Sequence, residues 1–205
     1  MSKKMMLDLC AGLGGQSEAF LHAGWDILRV DNNPLLSEVP RMIVANIDYL
    51  EPHPSDEYQI EYVHASPTCY WFSRGHSSPR SIAEREGRAQ EYDDSEDVQA
   101  AIDHVLRCKE IIDILKPRYW SIENVRVSMK YLVPFLGEPR LIINQSYCYW
   151  GNFPMFDPSS LEIPSKHSHD KRHSPLRANY LAKIPLCISQ AFLQAMTNQT
   201  RLDDY

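Results

Sequence analysis

The chain has 205 residues, with 21 lysines and arginines against 27 aspartates and glutamates, and a formal net charge of -6. Hydrophobic residues make up 43% and charged residues 23%, which is typical of one globular domain over residues 1–205 and excludes a collagen, a coiled coil or a disordered chain. The acidic balance also lacks the basic excess by which most domains that grip nucleic-acid phosphates are recognised.

Short apolar segments alternate with helical patterns along the chain. A helix is predicted from Gln16 to Ala23, and a longer one from Ser95 to Leu115, where apolar residues recur with helical period between a serine N-cap and Pro117. Strands are predicted for residues 5–9, 26–31, 41–47, 60–65, 119–123 and 140–150. This alternation predicts an α/β fold with a doubly wound sheet, helices on both faces, and ligands bound beyond the carboxyl ends of the strands.

A glycine-rich turn follows the first predicted strand. Residues 8–15 read Asp-Leu-Cys-Ala-Gly-Leu-Gly-Gly, and Asp31 ends the second strand. Glycines let a ligand approach the backbone, the next helix offers unpaired N–H groups, and an acid about 20 residues further on can accept ribose hydroxyls. The pattern indicates a nucleotide-type cofactor, and a turn that serves only tight packing is the alternative.

Chemically capable side chains follow two later strands. Residues 66–73 read Ser-Pro-Thr-Cys-Tyr-Trp-Phe-Ser, which places Cys69 as an exposed nucleophile, although a free cysteine is more often a small buried hydrophobe. Residues 121–125 read Ser-Ile-Glu-Asn-Val, where the carboxyl group of Glu123 can hold or donate a proton if it is partly removed from water. A solvated strand-end residue is the alternative for Glu123.

These three motifs, in this order and at these spacings, resemble those of the DNA (cytosine-5) methyltransferase family over residues 5–155. The resemblance implies a Rossmann-like sheet that binds S-adenosylmethionine, with DNA as the partner. The catalytic residues that it implies are Cys69, Glu123 and Asn124. The cofactor-binding residues that it implies are Asp8, Cys10, Ala11, Gly12, Leu13, Gly14, Gly15, Asp31, Asn32, Asn46, Ile47, Asp48, Ser66 and Pro67.

The chemistry of the family gives each catalytic residue a task. Carbon 5 of cytosine is a poor nucleophile, so the family first adds a thiolate, here Cys69, to C6. Glu123 would hydrogen-bond to N3 and the exocyclic amine, and a base in a duplex would have to be flipped out to reach them. Further candidates for contact with the base are Ser66, Pro67, Tyr70, Trp71, Phe72 and Arg74, and the three aromatic residues among them equally suit packing of the loop as core residues.

The chain departs from the family pattern in several segments. Thr68 replaces a proline beside the cysteine, and the Gln-x-Arg-x-Arg run after the sixth strand is missing, which leaves Arg74 or Arg140 as candidates for contact with the base. Residues 157–176 form a short loop where family members insert a target-recognition domain. Within it, the basic segment 166–173 either touches phosphates or is an exposed polar loop.

Two further segments carry expectations of their own. Residues 74–94 are charged and poor in apolar side chains, which suits either a mobile lid over the bound base or a disordered surface excursion. Residues 182–189 resemble the final motif of the family, a turn and helix that pack toward the cofactor, and Asn179 is a counterpart of the asparagine in that motif.

The location and the cysteine chemistry follow from simpler patterns. No apolar run approaches the roughly 18 to 20 residues of a membrane span, and residues 1–6 lack the apolar segment of a signal peptide, so a cytoplasmic protein without a membrane partner is expected. Five cysteines without a CxxC spacing predict neither a disulfide framework nor a zinc site, and no metal is assigned.

Three functions are therefore compatible with the sequence. The first is cytosine-5 methylation of DNA by a short form like those of phage and bacterial restriction-modification genes. The second is the same chemistry on RNA, single-stranded DNA or a free cytosine nucleotide, because the recognition domain is missing and the charge is acidic. The third is a catalytically weak methyltransferase-like subunit, which would need a specificity subunit or a second copy of itself as its partner.

Overall fold

The computed structural model describes residues 4–53, 59–165 and 173–203. The strands within these ranges are β1 Met5–Leu9, β2 Asp26–Asp31, β3 Met42–Val44, β4 Ile60–Ala65, β5 Tyr119–Val125, β6 Leu141–Ile143 and β7 Tyr147–Asn152. The α-helices are α1 Glu18–His22, α2 Pro79–Arg85, α3 Ala89–Asp93, α4 Glu96–Leu115, α5 Met129–Leu136, α6 Arg177–Ala182 and α7 Leu186–Asp203. In this part of the chain, no helix is both long and apolar enough to cross a bilayer.

The strands form one mixed sheet in the order β3-β2-β1-β4-β5-β7-β6. The first five strands of this order run parallel to one another, whereas β7 is antiparallel to both β5 and β6. Helices cover both faces, so the Rossmann-like α/β fold expected from the sequence is confirmed. Because β1, β2, β4 and β5 are parallel, the residues that follow them meet at one edge of the sheet.

The predicted element bounds hold best where the pattern is strongly periodic. β1, β2 and β4 have the predicted bounds, and α4 follows Ser95, whose side chain accepts a hydrogen bond from the backbone N–H of Val98. The predicted helix 16–23 and strand 41–47 are shorter than expected. The single strand predicted for residues 140–150 is wrong, because Asn144 and Gln145 adopt positive φ angles of 47° and 52° and reverse the chain between β6 and β7.

Apolar residues cover the two faces of the sheet in different ways. On one face, Leu9, Val63 and Ile122 pack against the apolar side of α4 and against α5. The other face holds an aromatic cluster with α1 and α7, in which Tyr62 contacts Phe20 and Phe192. Fully burying one such large apolar side chain contributes about 1.5 to 3 kcal/mol, so both clusters stabilise the sheet.

A row of polar residues crosses the centre of the sheet on the aromatic face. Asp8 is paired in register with His64, and His64 with Ser121, across β1, β4 and β5. All three residues are buried, at 1%, 0% and 0% exposure. Buried polar groups are costly unless they are hydrogen-bonded, so this row requires partners. Because side chains alternate along a strand, the residues two positions further on, Ser66 and Glu123, extend the same face toward the carboxyl edge.

Candidate active site

A cavity of about 980 Å³ opens at the carboxyl ends of β1, β2, β4 and β5. The glycine-rich turn and Asp31 line one part of it, and the Cys69 turn and Glu123 line another. This volume lies at the upper end of the range typical of cofactor and substrate sites. Three sequence motifs that are far apart in the chain are therefore brought to one cavity.

A buried hydrogen-bonded group supports the glycine-rich turn from below. The Ser17 hydroxyl donates to Asp8 at 2.5 Å, and Arg29 Nε donates to the Ser17 oxygen at 2.8 Å. Arg29 Nη2 also donates to the carbonyl of Gly14 at 3.3 Å, and a Cβ on Gly14 would lie 2.3 Å from Arg29 Nε. Gly14 thus packs on Arg29 and is not among the residues that border the cavity, and its contact with a cofactor stays a prediction. Burial raises the pKa of Asp8 to about 7.

Asp31 is held by two backbone N–H groups. Gly12 donates to its Oδ2 at 2.9 Å, and Asn33 donates to its Oδ1 at 3.0 Å. Each carboxylate oxygen keeps acceptor capacity beyond one hydrogen bond, which is what two neighbouring hydroxyls require. The Asn33 side chain also donates to Asn179 Oδ1 at 3.4 Å, which brings α6 to the same wall of the cavity.

A second polar group borders the cavity beside β3. The Asn46 side chain accepts from the backbone N–H of Asp48 at 3.0 Å, so its oxygen is already engaged. His104 Nδ1 lies 3.4 Å from Asp48 Oδ1, and His104 Nε2 lies 3.5 Å from Cys10 Sγ. The contact with Cys10 raises the pKa of His104. Sequence reasoning did not find His104, because a histidine on α4 carries no pattern that separates it from a solvated helix position.

The turn that carries Cys69 is fixed by backbone and side-chain hydrogen bonds. The Cys69 carbonyl accepts from the N–H groups of Phe72 and Ser73 at 3.1 and 2.8 Å. The buried Asn124 side chain donates to the carbonyl of Pro67 at 3.1 Å and accepts from the N–H of Val125. Asn124 does not border the cavity and holds the Cys69 turn against β5, whereas Cys69 itself is half-buried and borders it.

Glu123 faces the cavity beside Ser66. The Ser66 hydroxyl donates to Glu123 Oε2 at 3.3 Å, and His64 Nε2 lies 2.8 Å from the same hydroxyl. Tyr147 also borders the cavity, and burial, followed by the nearby Glu123 charge, raises its pKa. Sequence reasoning missed both His64 and Tyr147. The available indication was the strand period, since His64 precedes Ser66 by two residues and must share its face.

The aromatic residues after Cys69 fall into two groups. Tyr70 is 53% exposed, packs edge-on against Trp71 with ring centroids 5.1 Å apart, and borders the cavity with it. Phe72 is fully buried and stacks on Tyr131, which favours its alternative role as a core residue. The physical reason is the turn closed by the Cys69 carbonyl, which directs the residue three positions later into the core.

Neither candidate arginine lines the cavity. Arg74 is exposed and forms an ion pair with Glu84 at 3.6 Å, and the guanidinium of Arg140 lies 5.7 Å from the ring centroid of Phe153. Among the described residues, neither arginine is therefore placed as a replacement for the arginines missing from the family pattern, and both contacts with a base stay predictions.

Residues 74–94 fold as α2 and α3 against the Cys69 turn. The buried Arg80 forms ion pairs with Asp93 at 2.7 Å and Glu84 at 3.0 Å, and the Tyr92 hydroxyl donates to the carbonyl of Trp71 at 2.7 Å. Gly75, Ser77 and Ser78 border the cavity. The segment is thus positioned beside the cavity mouth, and its role as a mobile lid stays a prediction.

The C-terminal part of the chain closes the cavity beside the glycine-rich turn. Lys183 and Ile184 border the cavity, and a Cβ on Gly15 would lie 2.4 Å from the carbonyl oxygen of Ile184, so only glycine fits there. The loop at 157–176 contains a 3-10 turn at Pro158–Ser160. Its basic segment falls almost entirely on residues 166–172, which lie outside the described residues.

Comparison with known proteins gives structural neighbours alone. The sequence matches no protein-family model and no curated protein. The methyltransferase EhMeth of Entamoeba histolytica has a TM-score of 0.47 and 14% identity, and the match covers 80% of this chain and 56% of that one. The Dnmt2 methyltransferase of Schizosaccharomyces pombe has a TM-score of 0.41 and 17% identity, with 73% and 49% covered.

A further neighbour is an Escherichia coli prophage protein described as a DNA modification methyltransferase, with a TM-score of 0.45, 14% identity, and 73% and 47% covered. The chain spans about half the length of these solved structures. At these TM-scores the similarities do not indicate an activity. The residues of the cavity are the basis for the function.

Proposed function

We propose that the chain transfers a methyl group from S-adenosylmethionine to C5 of cytosine in DNA, through a covalent adduct between Cys69 and C6 of the base. The observation that supports this proposal is that Cys69 and Glu123 border one cavity with the glycine-rich turn and Asp31. A nucleophile and a carboxyl group thus lie beside a pocket with the features of a nucleotide-type cofactor site.

The residues at the cofactor end suit S-adenosylmethionine. The turn at Gly12 brings backbone close to the cavity, Asp31 offers two oriented carboxylate oxygens to ribose hydroxyls, and Asp48 offers an acceptor for an amino group. The tight packing of Gly15 on Ile184 sets the position of this wall. When bound there, S-adenosylmethionine supplies an electrophilic methyl group.

The chain's own residues carry out the rest of the proposed reaction. The Cys69 thiolate bonds to C6 of cytosine, and the electron pair of the C5–C6 double bond makes C5 nucleophilic. The Glu123 carboxyl group, in its protonated form, donates to N3 and accepts from the exocyclic amine, and so stabilises the negative charge that builds up on the ring. Once C5 carries the methyl group, a water molecule takes the C5 proton, the double bond re-forms and Cys69 leaves as a thiolate.

The same chemistry on another cytosine substrate is the second candidate. It is favoured by the net charge of -6 and by the short loop at 157–176, since both weaken the expected grip on duplex DNA. RNA, single-stranded DNA and a free cytosine nucleotide are the substrates of this candidate. In the third candidate function, a specificity subunit or a second copy of the chain would supply the missing contacts with DNA.

Trapping the covalent adduct tests the proposal. Duplex DNA, single-stranded DNA and RNA that contain 5-fluorocytosine are incubated with the chain and S-adenosylmethionine, and intact mass is measured, because fluorine at C5 blocks the elimination that frees Cys69. The wild type and Cys187→Ser, which loses a thiol that does not border the cavity, should form the adduct, and Cys69→Ala should not.

The substrate that yields the adduct separates the first two candidates. An adduct that persists in Cys69→Ala would refute the assigned nucleophile. If no substrate yields an adduct although S-adenosylmethionine binds, the proposed reaction of the isolated chain is wrong.

A further inference from the structure

A continuous chain of buried hydrogen bonds runs from the aromatic core to Glu123. Tyr62 Oη lies 2.6 Å from Ser121 Oγ, and Ser121 Oγ lies 2.7 Å from His64 Nδ1. His64 Nε2 lies 2.8 Å from Ser66 Oγ, which contacts Glu123. At the other end, Gln16 Nε2 donates to the Tyr62 oxygen at 3.3 Å, and its Oε1 accepts from the hydroxyl of Tyr149.

The number of available protons fixes the direction of this chain at its Glu123 end. The Ser66 hydroxyl donates its single proton to Glu123 Oε2. Ser66 must then accept from His64 Nε2, which leaves His64 Nδ1 without a proton. Nδ1 therefore accepts from Ser121, and Ser121 accepts from Tyr62.

The donors at the far end agree independently with this direction. Gln16 Nε2 is a donor only, so the Tyr62 oxygen accepts from it and the Tyr62 proton is free to point toward Ser121. Burial lowers the pKa of His64 to about 3, so the imidazole stays neutral with a single N–H. The far end of the hydrogen-bond chain is thus compatible with the tautomer that the Glu123 end requires.

We propose that His64 is a positioning residue for Glu123. The His64 Nε2–H orients the Ser66 hydroxyl, and this hydroxyl then donates to the carboxyl group that meets the target base. The role of Glu123 in this inference rests on the proposed function, whereas the hydrogen-bond chain itself does not. A carboxyl group that rotates would meet N3 and the amine of cytosine in only part of its orientations. The hydrogen bond from Ser66 to Oε2 favours one orientation of the Glu123 carboxyl group relative to the base.

A purely structural role is the alternative, since an apolar side chain could fill the same space. Burying an imidazole and two hydroxyls between strands gains little over apolar packing even when every atom is paired. The hydrogen-bond chain nevertheless does not end within the core. It ends at Glu123, the acidic residue of the cavity that adjoins Ser66. A structural role and a positioning role therefore make different predictions for catalysis.

The tautomer can be measured without any assumption about activity. In the full chain labelled with ¹⁵N-histidine, the His64 ring is assigned among the eight histidines by the resonances that His64→Gln removes. We expect a neutral ring with the proton on Nε2. A proton on Nδ1, or a charged ring at neutral pH, would overturn the proposal, because Ser66 would then lose its donor.

The positioning role is tested by a mutant cycle. His64→Leu with Ser121→Ala replaces the centre of the hydrogen-bond chain by apolar groups and removes both members of the central contact at once, and Ser66→Ala breaks the last link. Each variant should lower kcat by about 10-fold, the size expected for the loss of one hydrogen bond. Their combination should cost no more than either variant alone. S-adenosylmethionine binding by calorimetry should be unchanged in the double variant, because neither His64 nor Ser121 borders the cavity.

Two controls keep the outcome decisive. Tyr149→Phe removes a hydroxyl at the far end of the hydrogen-bond chain. The direction of the hydrogen bonds at Glu123 does not depend on this hydroxyl, so kcat should be unchanged. Independent, additive losses in the cycle, or equal losses in kcat and in folded fraction, would overturn the positioning role. If the wild type proves inactive on every cytosine substrate, the proposed function fails, while the ¹⁵N measurement still decides the hydrogen-bond chain.

Discussion

The two faces of the central strands use the same backbone for different purposes. On the α4 face, Leu9, Val63 and Ile122 make an apolar core. On the α1 and α7 face, Asp8, His64 and Ser121 occupy neighbouring positions in the same strands. Because Ile122 and Ser121 are adjacent in sequence, the alternation of a single strand separates packing from the polar chain that reaches the cavity.

This difference indicates which substitutions should affect stability and which should affect activity. Apolar burial is non-directional and contributes mainly to the free energy of folding. A hydrogen-bond chain contributes little net stability, but it fixes orientations. Changes on the α4 face should therefore lower stability without altering kcat per folded molecule, whereas changes in the hydrogen-bonded residues Ser121, His64 and Ser66 should lower kcat by more than their effect on stability explains.

The largest expected effect comes from Ile122→Ala. Ile122 is fully buried in the α4 face, so truncation leaves a cavity and should lower the free energy of unfolding by about 2 to 5 kcal/mol. Urea unfolding at constant m-value measures this loss, and kcat per folded molecule should stay at the wild-type level. A loss confined to kcat would contradict the division between the two faces.

The second prediction concerns Asp8 and pH. Its pKa is about 7 in the folded chain and 3.8 when exposed, so between these values the folded state binds more protons than the unfolded state. Stability contributed by this group is therefore full below pH 4 and falls as pH rises toward 7, by at most about 4 kcal/mol. Asp8→Asn should flatten the slope of unfolding free energy against pH in this window. An unchanged slope would show that the carboxyl is ionised in the fold.

Ser121→Ala should have a smaller effect on stability than Ile122→Ala. It removes one buried link, but the Tyr62 hydroxyl lies 3.5 Å from His64 Nδ1 and can approach it to restore a donor. We expect a loss of about 1 kcal/mol in thermal unfolding. Because the direction of the chain is kept, kcat should fall less than in Ser66→Ala. A stability loss as large as that of Ile122→Ala would contradict the contrast between neighbouring residues.

The smallest effect is expected at the N-terminus of α4, the helix that covers the apolar face. Ser95 caps it by accepting from the N–H of Val98, so Ser95→Ala should cost about 1 kcal/mol. Methyl transfer per folded molecule should not change, since the cap lies outside the cavity lining. Thermal unfolding and a labelled-cofactor assay on the same sample check both statements.

Sequence reasoning recovered the parts of the fold that depend on local pattern. The bounds of β1, β2, β4 and α4 follow from period and capping, and the fold class follows from their alternation. The hairpin between β6 and β7 was missed because Asn144 and Gln145 reverse the chain without glycine or proline. The choice between core packing and contact with a base was left open for Phe72, because a turn, and not a periodic element, sets the direction of its side chain.

The site was predictable only as far as its motifs lie at strand ends. Cys69, Glu123, Asp31 and most of the glycine-rich turn border the cavity as a group. His104 could not be assigned, because its partners Cys10 and Asp48 come from segments that only the folded chain brings together. The contacts of Gly14 with Arg29 and of Asn124 with Pro67 could not be predicted for the same reason, since each joins segments that are separate in the sequence.

The central claim, methylation of C5 of cytosine through Cys69, is tested most directly by bisulfite sequencing of DNA from cells that express the chain. Methylation through Cys69 predicts cytosines that resist bisulfite conversion at a defined set of sites in the wild-type sample. None of these sites should resist conversion in cells that express Cys69→Ala at the same level. If the same cytosines resist conversion in both samples, methylation through Cys69 is contradicted.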